Sequence, residues 1–135
     1  MNAKEAKKLV ENRKEYEKRM QQLEEDKLNR KTKEAEAQGL ADSKKVIYDL
    51  DNFIAKIALS GKQELKKSMR HKDEETGYAY LKKIEEEVIQ YYTKGGYKIS
   101  TSAKYNYAPI YEGTMNPEVA GYEYIAHELN IEIRW

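Results

Sequence analysis

From Tyr97 to Tyr111 the chain changes its period. Tyr97, Ile99, Thr101, Ala103, Tyr105, Tyr107, Pro109 and Tyr111 all take odd positions, and polar residues fill most of the even ones. Ile125, His127, Leu129, Ile131, Ile133 and Trp135 repeat the pattern. Period two is the signature of a strand with one apolar face, and no helix can satisfy it. The stretch "EGTMNPEVAG" between the runs is rich in turn residues. Pairing residue 97 near residue 135 sets odd residues opposite odd residues. One face of a long antiparallel hairpin then carries nearly all the apolar and tyrosine side chains. A competing reading starts a short helix at Asn116-Pro117-Glu118, with Val119, Tyr122, Ile125 and Leu129 on one face, and leaves only "NIEIRW" as strand. Two strands alone are seldom stable, so the hairpin needs helices or another chain against its face.

Upstream of Gly95-Gly96 the period is helical. Leu81, Ile84, Val88 and Tyr91 predict a helix over about residues 78–92, closed by a glycine able to take the left-handed conformation. Val46, Ile47, Leu50, Phe53, Ile54, Ile57 and Ala58 predict a central core helix, with Asp42 or Ser43 as its cap and Ser60-Gly61 as its stop. "SGKQELKKSM" can open a further helical turn carrying Leu65 and Met69, and "RHKDEETG" reads as a polar connector. Residues 2–38 read as one long charged helix with a thin heptad-like seam: Ala6, Leu9, Arg13, Tyr16, Met20 and Leu23. Such a helix is marginal alone, so the seam residues Leu9, Tyr16, Met20 and Leu23 are candidates for an oligomer contact. The expected fold class is α+β: a long N-terminal helix and two further helices followed by a C-terminal antiparallel β-hairpin. Residues 1–38 form the extended charged helix, and residues 39–135 form a compact helical and hairpin domain.

Composition narrows the function. The 135 residues are 36% charged with a net charge of +1, and the mean hydropathy is −1.00. That balance suits long solvated helices and disfavours a strongly basic nucleic-acid binder, although a local basic patch stays possible. Without cysteine there are no disulfides, thiolate metal sites or cysteine nucleophile. The N-terminus has no apolar leader core and nothing later has the apolar length of a membrane span, so a soluble, cytoplasmic protein is expected.

The sequence names no reaction. "SGKQEL" has Gly-Lys without the glycine spacing of a phosphate loop, and "AHEL" lacks the second histidine of a zinc-protease helix. His127 reads as a hydrogen-bonded, partly buried strand residue and His71 as a solvated loop residue. The acidic residues of "KKIEEE" read as a solvated helix face. No enzyme activity, cofactor or metal is expected. Tyrosine carries the strongest functional signal, since it joins a large apolar face to a hydroxyl that seeks a partner. Tyr105, Tyr107 and Tyr111 are the candidate contact residues, with Lys104 and Arg134 as candidate cations for a phosphate.

The order of a charged helix, "NFIAKIALSGKQEL", a helix ending in "YYTKGGYKIST", and a final "IEIRW" resembles the small early proteins of phages that infect Gram-positive bacteria. The likeness covers roughly residues 46–102 and 130–135. It implies phage origin and action on the host, by binding and blocking a host or defence protein, and carries over no catalytic residue. The alternatives are an oligomeric sponge for a nucleotide-like signal, and a nucleic-acid-binding or virion assembly protein. Homo-oligomerisation is expected, and membrane association is not.

Overall fold

The structure, a computed structural model, describes residues 1–113 and 118–135. Its elements run α1 (Ala3–Leu59), β1 (Glu64–His71), α2 (Gly77–Lys94), β2 (Lys98–Glu112) and β3 (Glu118–Arg134). The chain divides into two compact units, Met1–Glu34 and Ala35–Trp135.

The first unit is helical from Ala3, and all of residues 1–31 are exposed. Its start is a reciprocal cap: Asn2 Oδ1 accepts the Glu5 amide at 2.9 Å, and the Asn2 amide donates to Glu5 Oε2. Arg13–Glu17 and Glu15–Arg19 form one-turn ion pairs along its surface.

In the second unit, helix α1 continues through Gly39, where the sequence suggested a break. A mid-helix glycine costs up to about 1 kcal/mol relative to alanine. Here it permits close packing, because a β-carbon at Gly39 would stand 2.6 Å from the Tyr80 carbonyl oxygen of α2. Ser43, one turn on, is also buried. The expected stop at Ser60-Gly61 holds, with the Lys62 amide reaching back to the Ile57 carbonyl at 3.2 Å. Among the described residues two helices are therefore present where three were expected.

"ELKKSMRH" is strand β1, not a helical turn. Leu65 and Met69 are four residues apart, a spacing that fits one face of a helix and one face of a strand equally well. The hairpin is thus part of a three-stranded antiparallel sheet, ordered β1-β3-β2. The alternative helix over 117–129 is also excluded from Glu118 onward, where the chain is strand; its starting pair Asn116-Pro117 lies outside the described residues. The β2–β3 pairing follows the expected register, from Lys98↔Arg134 and Ile99↔Ile133 as far as Asn106↔Ala126.

Cross-strand rows follow from the registers. Leu65, Ile133 and Ile99 form one row; Met69, Leu129 and Ala103 form another. These odd rows face the helices. Leu65, Leu129, Ile131 and Ile133 are buried with Leu50 and Ile54 of α1 and Leu81, Ile84, Val88 and Tyr92 of α2. Tyr92, rather than the expected Tyr91, is the buried ring. Both hydroxyls donate to Asp51, from Tyr91 at 2.9 Å and from Tyr92 at 2.8 Å. Burial and the Asp51 hydrogen bond together push the Tyr92 phenol far up. Gly96, with φ of 84°, closes α2 as expected, and the Tyr97 amide bonds the Tyr92 carbonyl. Even rows form the opposite, polar face. There Ser68 bonds Asn130, and Arg70 and Lys104 flank Glu128 from the two edge strands.

Candidate functional site

The last row shared by all three strands joins His71, His127 and Tyr105. The two histidines lie 56 positions apart in sequence, and the antiparallel register sets them side by side. His127 is buried, with Nε2 3.1 Å from the Glu74 carbonyl oxygen. His71 is half-buried at the end of β1, its ring 4.5 Å from that of Tyr80, so the solvated-loop expectation does not hold. Gly77 opens α2 directly above this row, and a side chain there would overlap the His127 ring. The loop before α2 is shaped by Asp73, whose carboxylate accepts the Glu75 and Thr76 amides. Those bonds, the Thr76 amide first, hold its pKa below the usual carboxylate value.

Beyond this row β1 has ended, and β2 and β3 continue as a two-stranded arm: residues 105–112 with 118–126. The register shifts between Asn106 and Tyr107 and again between Ile110 and Tyr111. At the first shift β3 contains one extra residue, Ile125, which reverses the parity of the strand. Tyr107 therefore lies opposite Tyr124, and Pro109 opposite Tyr122. Tyr122 and Tyr124, which precede the alternating run that starts at Ile125, join Tyr105, Tyr107 and Tyr111. The signal was present in "YIAH", where consecutive apolar residues interrupt the alternation.

The result is a continuous aromatic surface. Tyr105 packs edge-on to His127 at 4.3 Å between ring centroids and lies parallel to Tyr78 of α2 at 6.4 Å. Tyr107 meets Tyr124 edge-on at 5.7 Å. The Tyr124 hydroxyl donates to the His71 carbonyl at 3.3 Å, which fastens the root of the arm to the end of β1. Yet Tyr105 is 51% exposed, Tyr107 49%, Tyr111 60% and Tyr122 68%. Val119, Ile110 and Ile125 are exposed as well. Every charge between residues 105 and 126 is acidic: Glu112, Glu118 and Glu123.

The candidate cations are elsewhere. Lys104 is an even residue on the polar face, its Nζ 3.2 Å from Glu128 Oε2. The Asn106 amide first, and Lys104 second, hold the Glu128 pKa below its ordinary value. Arg134 stands at the other end of β3, ion-paired with Glu64 and Glu132. Those carboxylates, Glu132 first, raise its pKa further. There Arg134 borders an open groove of about 730 Å³ together with Lys62, Lys98, Gly96 and Trp135. The seam residues Leu9, Tyr16, Met20 and Leu23 are all exposed in the first unit. Among the described residues no group of three or more potential ligands could hold a metal ion, and no helix is long and apolar enough to cross a membrane.

No family model, curated protein or solved structure matches this chain.

Proposed function

We propose that this protein is a non-enzymatic interaction protein whose β2–β3 arm binds and blocks a partner protein. The observation that carries this reading is the exposure of Tyr107, Tyr111 and Tyr122 along one face of the arm, beyond the last row shared by all three strands. Tyrosine supplies large, rigid contact area at low cost in side-chain entropy, and exposed aromatic clusters mark protein contacts. A host or defence protein of a Gram-positive bacterium is the partner class, on the strength of the phage-protein resemblance, and the site of action is the bacterial cytoplasm.

The test compares wild type with a Tyr107→Ser/Tyr122→Ser variant as baits in lysate of a Gram-positive bacterium, followed by calorimetry with each purified captured protein. The variant should bind at least about tenfold more weakly, since losing two contact aromatics removes some 1.5 kcal/mol or more. Equal binding by both baits sinks the reading.

The groove lined by Lys62, Lys98, Arg134 and Trp135 favours a second reading, a sponge for a nucleotide-like signal, because it combines cations with an aromatic ring. Thermal-shift measurements with cyclic and linear nucleotides separate the two: stabilisation by a nucleotide that is lost on Lys98→Ala supports the sponge.

A further inference from the structure

The first unit presents a helix that carries a seam of exposed apolar residues, with Val10 beside it and Leu28 on the outer face. In a heptad frame, Ala6, Arg13 and Met20 take position a, and Leu9, Tyr16 and Leu23 take position d. Position g is then Glu5, Asn12, Arg19 and Asp26, and position e is Val10, Glu17, Glu24 and Lys31. We propose that this seam binds a second copy of the same chain as a parallel, in-register, two-stranded coiled coil over residues 5–31.

The charges choose both occupant and direction. In a parallel pair each g residue faces the e residue five positions on in the other helix. That sets Arg19 against Glu24 and Asp26 against Lys31, each twice by symmetry. The remaining g–e pairs, Glu5 with Val10 and Asn12 with Glu17, contain no like charges. An antiparallel pair that layers the same core, Leu9 on Met20 and Arg13 on Tyr16, instead sets Glu5 against Asp26 and forms no pair of opposite charge.

Arg13, the one charge inside the apolar stretch, is held at the edge of the seam within its own helix. Its Nε bonds Glu17 Oε1 at 3.1 Å, and its guanidinium lies 5.4 Å from the Tyr16 ring centroid. A single polar residue at position a lowers stability but fixes register and strand number. Lys27 and Arg30 occupy the next two seam positions and end the apolar core after Leu23. The coiled coil is therefore short, and its assembly is concentration-dependent. A dimer carries two β2–β3 arms, which strengthens a weak arm contact wherever the partner is multivalent.

The chain contains no cysteine, so introduced thiols report on their own positions alone. Leu9→Cys, Met20→Cys and Glu25→Cys are made in the full chain and equilibrated in a glutathione redox buffer. Leu9→Cys and Met20→Cys should each link to themselves, and Glu25→Cys, on the outer face, should link far more slowly. Equal linking at all three positions, linking at none, or a mixed Leu9–Met20 disulfide dominating when the two variants are combined overturns the proposal. Sedimentation equilibrium supplies an independent readout. Glu24→Lys should weaken dimerisation about tenfold, because two attractive pairs become repulsive, and adding Arg19→Glu should restore it. No change with Glu24→Lys, or a trimeric mass, counts against the parallel pair.

Discussion

Strands β2 and β3 run through two different environments without leaving one hydrogen-bonded ladder. From Lys98 to Lys104, paired with Glu128 to Arg134, the ladder has β1 on its other side and two helices over its odd face. From Asn106 to Tyr111, paired with Val119 to Ala126, it loses the third strand and then the helices. Leu129 is fully buried in the first half, and Tyr111 is 60% exposed in the second. Composition changes in step. Aliphatic residues fill the covered half, where dispersion and loss of hydration reward shape. Tyrosine fills the arm, where a side chain has to tolerate both water and contact. Secondary structure is common to both halves, so what differs is the cover. That difference assigns stability to the covered half and leaves the arm for the recognition role proposed above.

The strongest way to break this comparison is to remove the same side chain from each half. Ile133, fully buried in the covered part of β3, should cost about 3–4 kcal/mol on Ile133→Ala, from lost burial and a cavity that cannot close. Ile110 in the arm is 45% exposed, and Ile110→Ala should cost less than about 1 kcal/mol. Urea denaturation of both variants reads this directly. Similar losses would mean that the arm belongs to the cooperative core.

Gly39→Ala probes the cover itself. The substitution gains up to about 1 kcal/mol of helix propensity. Against that, its β-carbon meets backbone of α2, at the Tyr80 carbonyl, and overpacking costs about 1–3 kcal/mol. Net destabilisation of roughly 1–2 kcal/mol is expected, measured by thermal unfolding. A stabilised variant would show that the two helices can move apart freely at this point.

Much of the covered half was legible because its periods are clean. Leu50 and Ile54, Leu81, Ile84 and Val88, and Leu129, Ile131 and Ile133 all lie on the faces that their spacing predicts. Gly39 misled because its local cost is visible in sequence and the carbonyl it accommodates, 41 residues on, is not. β1 was missed because Leu65 and Met69 suit either period. The arm was half legible. Parity placed Tyr105, Tyr107 and Tyr111 on one face, but the extra residue at Ile125 moved Tyr122 and Tyr124 onto it. Proximity along the chain also failed for the cations. Lys104 is next to Tyr105 in sequence and on the opposite face of the sheet, as a strand requires.

pH sharpens the contrast at the edge of the cover. The Tyr80 hydroxyl donates to Asp42 Oδ2 at 2.5 Å. Burial first, and the Asp42 bond second, raise the Tyr80 pKa from 10.0 to about 12. A raised folded-state pKa means that the phenol stabilises the fold fully below pH 10. That contribution is lost as pH rises through about 12. The same bond lowers the Asp42 pKa, so the carboxylate's contribution is present above its unfolded value of 3.8 and is lost in acid. Tyr80→Phe should therefore be less stable than wild type at neutral pH, with the gap closing between pH 10 and 12. Tyr91, Tyr92 and Tyr124 are shifted in the same direction, so an alkaline slope persists in the variant. Denaturation midpoints at several pH values test this; a gap that stays constant to pH 12 would show that the Tyr80→Phe loss does not arise from the ionisable hydroxyl.

The smallest expected effect is also the most diagnostic. Tyr107 and Tyr122 are 49% and 68% exposed, and the rings that Tyr107 meets are those of Tyr105 and Tyr124. Exchanging either for serine should change unfolding free energy by about 1 kcal/mol or less. Tyr92→Ser, by contrast, empties a fully buried site and removes one of the two tyrosine hydroxyls that bond Asp51, at a cost of about 3 kcal/mol or more. Three tyrosine variants measured side by side in urea thus separate rings that hold the fold from rings that it only displays. If Tyr107→Ser and Tyr122→Ser leave stability near wild type, selection for folding has no hold on them, and their side chains are explained by what they meet in a partner. If instead either approaches the Tyr92 loss, the arm's tyrosines are structural, and the case for a binding surface fails without any partner having to be found.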